Sequence, residues 1–270
     1  MKIDNLTLDK TLNQWIDSCY VIKSDNFLDF IPKTIGFPEA TPELIIILKG
    51  HLNVSYNEKL YDINESCLFT FIDKPIVITP SSSIHIIKIS FHSYGVYPLV
   101  QLTGIASKEL TYSPIIFARD IFGNELQTLE QKLFESKNKI ELQNHLNYFF
   151  INKLCKIGIN QIGLSFLNLT KFNFHNVDDL CNALHVTPRT LQRWFSQNMD
   201  ISPKFYLRLL RLKALINDLS SSYDLDYLSI AIKNGYYDQN HMIKEIKFFT
   251  DQSPKEISFD QYLPIQLVKN

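Results

Sequence analysis

Leu184-His185-Val186-Thr187-Pro188-Arg189-Thr190-Leu191-Gln192-Arg193-Trp194-Phe195 is the stretch that decides how this chain folds. Thr187 is suited to cap a helix and Pro188 to occupy its first position, where no amide donor is lost. Leu191, Trp194 and Phe195 recur at helical spacing and form an apolar stripe, which turns Arg189, Gln192, Arg193 and Ser196 outward. Upstream, Asn176-Val177-Asp178-Asp179 reads as another helix start, with Asn176 as cap and two carboxylates in the positively polarised first turn. Val177, Leu180, Cys181 and Leu184 share the inner face of that helix, and His185-Val186 makes a tight turn. Two short helices three residues apart result, and the second presents Arg and Gln side chains to the outside.

A helix-turn-helix unit needs this arrangement, because the exposed face of its second helix enters the major groove while the apolar face docks on the first. Arg can bond bidentately to guanine and Gln to adenine. The pattern occurs twice. Leu228, Ala231 and Ile232 belong to a short helix closed by Gly235-Tyr236, a Gly of the kind that adopts a left-handed cap. Asp238 caps the next helix, whose Met242, Ile243 and Ile246 face inward and whose Gln239, Asn240, Lys244 and Lys247 face outward. Each unit ends alike, in Asp200-Ile201-Ser202-Pro203 and in Asp251-Gln252-Ser253-Pro254. A long helix over residues 203–219 joins them, with Phe205, Leu209, Leu212, Leu215 and Ile216 free to pack on both neighbours.

Towards the amino terminus the periodicity changes. Residues 44–48 are a β-branched run ended by Lys49-Gly50-His51, and residues 52–56 alternate apolar with polar, which reads as a hairpin. Residues 66–72, 76–78 and 84–91 repeat the pattern, with turns at Asp73-Lys74-Pro75 and Thr79-Pro80-Ser81-Ser82, and suggest a barrel or sandwich. Residues 124–133 and 140–157 then read as helices. In the second, Leu142, Leu146, Phe149, Phe150 and Leu154 form one stripe. The expected organisation is a first domain over residues 1–160, a linker over 161–175 and a second domain over 176–262.

The 270 residues carry 27 Lys and Arg against 28 Asp and Glu, a formal net charge of -1. This balance argues against coating nucleic acid or an anionic membrane by bulk electrostatics, but it allows a local basic face. Between Val186 and Ile216 the cations Arg189, Arg193, Lys204, Arg208, Arg211 and Lys213 meet only Asp200. Cys19, Cys67, Cys155 and Cys181 are dispersed, with no C-x-x-C pair, which favours a reduced, cytoplasmic setting. The start of the chain does not read as a signal peptide, and no run approaches the roughly 20 apolar residues of a membrane span.

The two units resemble the AraC/XylS-type bacterial transcription regulators, from Leu184 to Phe195, through Ile201-Ser202-Pro203-Lys204-Phe205-Tyr206-Leu207-Arg208-Leu209-Leu210-Arg211-Leu212-Lys213-Ala214, to Ala231-Ile232-Lys233-Asn234-Gly235-Tyr236-Tyr237-Asp238-Gln239-Asn240-His241-Met242. Lys247-Phe248-Phe249 and Ser253-Pro254 extend the likeness, which runs from about Asn176 to Phe259. The resemblance implies an α+β two-domain protein whose C-terminal all-α domain sets two recognition helices in successive major grooves, about 34 Å apart. It assigns base contacts to Arg189, Gln192 and Arg193 in the first unit and to Gln239, Asn240 and Lys244 in the second, with Thr187, Arg208 and Lys247 on phosphates. Asp200 and Asp251 stand where these regulators usually carry Gly, a place that Asp tolerates better than most residues. Ile246, His241 and Met242 also depart from the usual pattern of the second recognition helix.

Pro38-Glu39-Ala40-Thr41-Pro42-Glu43 with residues 44–48, and Leu102-Thr103-Gly104-Ile105 with Ile121-Phe122-Gly123, resemble the cupin-like sensory domains of one branch of these regulators. That implies an N-terminal β-barrel followed by helices that carry a dimer contact. The partners implied are promoter DNA, RNA polymerase, a small-molecule or protein effector at the N-terminal domain, and a second copy; no membrane and no cofactor are implied. The competing readings are a metal-dependent cupin enzyme with a helical accessory domain and a general nucleic-acid binder. Against the enzyme, His51, His85 and His92 are isolated, without the His-x-His pair that such cupins resemble one another in. Cys19 and Cys67 read as buried small hydrophobes. Tyr56, Tyr61, Phe69, Phe71 and Phe91 read as core, with an effector pocket as the alternative.

Overall fold

The computed structural model describes residues 2–25, 34–80, 83–104, 115–154, 157–159, 161–168, 174, 176–221 and 226–257. Ser81, Ser82, Ile105, Cys155, His175 and residues 258–262, which figure in the expectations above, lie outside the described residues.

The strands are β1 (Lys2–Asn5), β2 (Ile16–Ser24), β3 (Thr34–Gly36), β4 (Glu43–Lys49), β5 (Leu52–Tyr56), β6 (Lys59–Ile63), β7 (Cys67–Phe69), β8 (Ile76–Pro80), β9 (Ile84–Phe91) and β10 (Ile115–Phe117). They form a six-stranded sheet in the order β1-β2-β9-β4-β7-β10 and a four-stranded sheet in the order β3-β8-β5-β6. All pairings are antiparallel.

The expected hairpin of residues 44–48 with 52–56 does not form. β4 pairs with β7 and β9, whereas β5 pairs with β6 and β8 in the other sheet. The corner between them is Gly50, at φ 84°, where an added Cβ would lie 2.3 Å from the Ser83 carbonyl oxygen. Lys49-Gly50-His51 therefore carries the chain from one sheet to the next, and the hairpin of this region is β5 with β6. Its turn is Asn57-Glu58, both left-handed at φ 47° and 61°, the backbone that two-residue hairpin turns favour.

Period-two alternation sorts the side chains of β4 and β9 between two hydrophobic clusters. Leu44, Ile46, Ile87, Ile89 and Phe91 face the helices, while Ile45, Ile84 and Ile86 face the barrel interior. The helices on the outer face are α1 (Tyr97–Leu102), α2 (Ala118–Phe122), α3 (Asn124–Glu135) and α4 (Lys139–Leu154). The stripe read in α4 is the buried one, Leu142, Leu146, Phe149, Phe150 and Leu154.

The stretch expected as linker holds a helix, α5 (Gln161–Asn168). Its Phe166 packs against Tyr94, Trp194, Phe195 and Tyr206. An apolar pair such as Phe166-Leu167, both buried, has no reason to stand in a solvated tether.

The C-terminal helices are α6 (Val177–Leu184), α7 (Pro188–Asn198), α8 (Pro203–Ser221), α9 (Tyr227–Lys233) and α10 (Gln239–Thr250). The caps follow the sequence. Asn176, Thr187 and Asp238 accept from the amides of Asp179, Thr190 and His241. His185 closes α6 in the left-handed region, and Asp200 and Asp251 adopt φ 52° and 57° where Gly was usual. Ile230 and Ala231 are the buried residues of α9, whereas Leu228 and Ile232 are exposed.

Candidate nucleic-acid interface

α7 buries Leu191, Trp194 and Phe195 against its neighbours. Arg189, Gln192 and Arg193 are then exposed together. α10 repeats this, burying Met242, Ile246 and Phe249 and exposing Gln239, Asn240, Lys244 and Lys247. The expected base-contact side chains of each unit thus share a solvent-facing surface over the amino-terminal half of its second helix. There the uncompensated amides also favour anions. Thr187 is exposed too, with its hydroxyl engaged by the Thr190 amide at 3.2 Å as the cap of α7.

Arg208, expected on phosphate, is paired within the protein. Its guanidinium forms a bidentate pair with Glu245, Nε and Nη2 each 2.9 Å from a carboxylate oxygen. It also lies 4.4 Å from the Phe248 ring centroid and 4.9 Å from that of Phe249. Glu245 is 8% exposed, on the inner face of α10, and a carboxylate there requires a fixed cation. Arg208 is therefore a clamp between α8 and the second recognition helix. Its basic type alone did not distinguish a phosphate from a protein carboxylate as partner. The legible signal was the acidic Glu245 three residues after the buried Met242.

The C-terminal helices rest on the barrel domain at two places of different character. The first unit is set in aromatic core. Tyr94 lies 4.9 Å from the Trp194 ring, its hydroxyl donates to the Asn198 side-chain oxygen at 3.2 Å, and Gln101 donates to the same atom at 3.0 Å. The Tyr206 hydroxyl meets Ser93 at 3.1 Å. Burial pushes the phenols of Tyr94 and Tyr206 up to about 12.

The second unit and the connecting helix are held by cations instead. Lys74, from the barrel, donates to the Phe248 carbonyl at 2.7 Å and to the Asp251 carboxylate at 2.9 Å, and lies 5.6 Å from the Phe248 ring centroid. Lys213, on α8, reaches Glu39 and Thr41 of the barrel at 3.2 Å each. The Glu39 carboxylate raises the pKa of this ammonium above its ordinary value.

Between the two sheets lies a small apolar cavity of about 70 Å³, lined by Ile22, Ile45, Phe69, Ile78 and Ile86 among others, with Glu39, Thr41, Glu43 and Lys88 as its polar groups. Lys88, 5% exposed, pairs with Glu43 at 2.5 Å. Sequence reading named Phe69 but missed this pair. Its signal was a Lys at an interior-facing position of the β-branched run in β9. Phe91 and Phe71 serve elsewhere, Phe91 packed on Phe150 and Phe71 stacked on Tyr97, while Tyr56 and Tyr61 pack against the barrel-interior cluster without lining the cavity. Cys19 and Cys67 are buried, which raises both thiols above their ordinary range. Among the described residues no three His, Cys, Asp or Glu side chains gather as a metal site.

A family model described as a helix-turn-helix domain matches residues 180–258. ToxT from Vibrio cholerae is a solved structure similar to this chain, at 12% identity and a TM-score of 0.45 over 88% of this chain and 96% of that one. A ToxT structure bound to (E)-4-(8-methylnaphthalen-1-yl)but-3-enoic acid matches at 11% identity and a TM-score of 0.45, over 95% and 98% of the two chains. Regulator of nonsense transcripts UPF2 from Arabidopsis thaliana is 30% identical over 128 residues, 44% of this chain, and this chain spans 10% of that protein's length. The family model falls on the two units described above, with their caps, connecting helix and outward Arg, Gln, Asn and Lys side chains. Residues 180–258 of this chain are a helix-turn-helix domain.

Proposed function

We propose that this protein is a transcription regulator that binds specific promoter DNA through α7 and α10 in successive major grooves and is controlled through its N-terminal barrel. The observation that carries the reading is the duplication. Two capped helices each bury an apolar stripe and expose a matched set of base-reading side chains, Arg189, Gln192 and Arg193 on one and Gln239, Asn240 and Lys244 on the other. Thr187 and Lys247 complete the set on phosphates, which position the protein without reading sequence.

The sensory and oligomerisation unit is assigned to residues 1–160 and the DNA-binding unit to 176–262, with α5 as a packed joint between them. The barrel cavity suits a small apolar molecule with one polar group, because its lining is apolar, aliphatic and aromatic, apart from the Lys88–Glu43 pair, Glu39 and Thr41. A cytoplasmic regulator that contacts RNA polymerase and pairs with a second copy fits this reading, which involves no catalytic step.

The test is selection from a random-sequence DNA pool with the full chain, followed by affinity measurement in defined salt. We expect a two-part site about one helical turn apart, bound roughly a thousandfold or more tighter than random DNA. Equal affinity for selected and random DNA overturns the reading.

A further inference from the structure

The two contacts between the barrel domain and the helix-turn-helix units differ in a way that bears on control. The contact to the first unit lies away from the cavity. Ser93, Tyr94 and Gln101 do not line it, and Tyr94 and Trp194 belong to the core cluster on the outer face of the six-stranded sheet. The contact to the second unit is made from the cavity wall itself. Ile72 and Ile76 both line the cavity, and Lys74, midway between them, holds the carboxyl end of α10 through the Phe248 carbonyl and Asp251. Glu39 also lines the cavity and holds Lys213 of α8. The two wall segments are tied together, since Glu39 and Ile72 exchange backbone hydrogen bonds of 3.1 and 3.3 Å.

We propose that residues 72–76 are a latch on the second recognition helix alone, so that filling the barrel cavity changes how α10 meets DNA while α7 stays seated. This rests on the regulator reading above. An ammonium at a helix carboxyl end is favourably placed, and Lys74 is also stacked over Phe248, which Arg208 covers as well. Phe248 and Asp251 are thus held jointly by the barrel and by α8. The Lys74–Asp251 pair is partly exposed, with side-chain exposures of 30% and 72%, and such pairs are weak. A weak contact suits a switch, because a ligand shifts an equilibrium only by its differential affinity for the two states. The aromatic dock of the first unit is too deeply buried to be released in the same way.

The test uses the full chain with Lys74→Met, which keeps the aliphatic stem, and Asp251→Asn, which keeps a residue tolerant of left-handed backbone. Ile78→Phe, which fills part of the cavity, stands in for an occupant. Footprints on DNA selected from a random pool and amide exchange of the free protein are the readouts. In all three variants we expect protection of the half-site read by α10 to change several-fold relative to the other half-site. Exchange should rise in Gln239–Thr250 and stay unchanged in Pro188–Asn198. Equal change in both half-sites, or none, in variants with the wild-type circular dichroism spectrum overturns the latch, and if Lys74→Met does not fold, Asp251→Asn decides. If the lysine and aspartate variants respond and Ile78→Phe does not, the cavity has no part in it. Failure of the regulator reading looks different, because wild type and variants then bind random DNA as tightly as any selected sequence.

Discussion

Arg193 stands exposed on α7 about two turns from the Thr187 cap, and the proposed function sets its guanidinium against a base edge. Arg193→Ala should weaken binding to the selected site by about 1–3 kcal/mol and relax base choice at one position, read by an affinity series over single-base variants of that site. Arg208 behaves differently. Arg208→Met leaves Glu245 buried without its cation and should destabilise the fold by about 2–3 kcal/mol, less than for a fully enclosed pair because Arg208 is partly exposed. Arg208→Met with Glu245→Leu should recover most of that loss in denaturant unfolding. His85 carries a pH dependence. Burial, then Lys23 and Lys49, lower its pKa from 6.5 to about 4, so the folded state binds fewer protons than the unfolded one between those values. Its contribution to stability is complete above about pH 6.5 and is lost as pH falls towards 4, and His85→Gln should flatten unfolding midpoints over that window. The exposed residues of both recognition helices were legible because periodicity alone puts them outside. Arg208 was not, since the sequence shows a charge and not its nearest partner.

At the scale of elements, legibility followed the strength of local signals. Asn176, Thr187-Pro188 and Asp238 each announce a helix start, and each caps the expected helix. Thr187→Ala should cost about 1 kcal/mol in thermal or denaturant unfolding of the protein without DNA, so a further loss of DNA affinity measured on the folded variant isolates a phosphate contact. The strands were less readable. β1, β2 and β6 lie where alternation is imperfect. The Asn57-Glu58 turn lacks the Gly that would mark a hairpin with a left-handed second position. Gly50 marks a break without saying whether the chain folds back or crosses to another sheet, and only its closeness to the Ser83 carbonyl settles the corner. α5 escaped notice because Gly163 and flanking Asn residues suggested a tether, while Phe166 and Leu167 found apolar partners far away in sequence.

At the scale of the molecule, one core cluster runs from Leu44 and Phe91 through Phe150 and Phe166 to Trp194, Leu212 and Phe249. Such continuity predicts a single cooperative unfolding transition, with calorimetric and van't Hoff enthalpies in agreement. Two resolved transitions would show that barrel and helices melt separately. The net charge of -1, which first seemed to disfavour nucleic acid, is compatible with basic groups confined to the outer faces of α7 and α10. The shared core also bears on how freely this DNA reader can be moved between proteins. Trp194 and Asn198 rest on Tyr94, and Tyr206 on Ser93, so a segment excised at Asn176 would carry away a wet aromatic surface and lose the partners of two buried polar groups. Grafted behind a foreign sensor, it would need a replacement for the Tyr94 and Phe166 surface as well as a fresh tether. The module is built as half of a joint, and evolution or engineering can exchange it only together with the face that seats it.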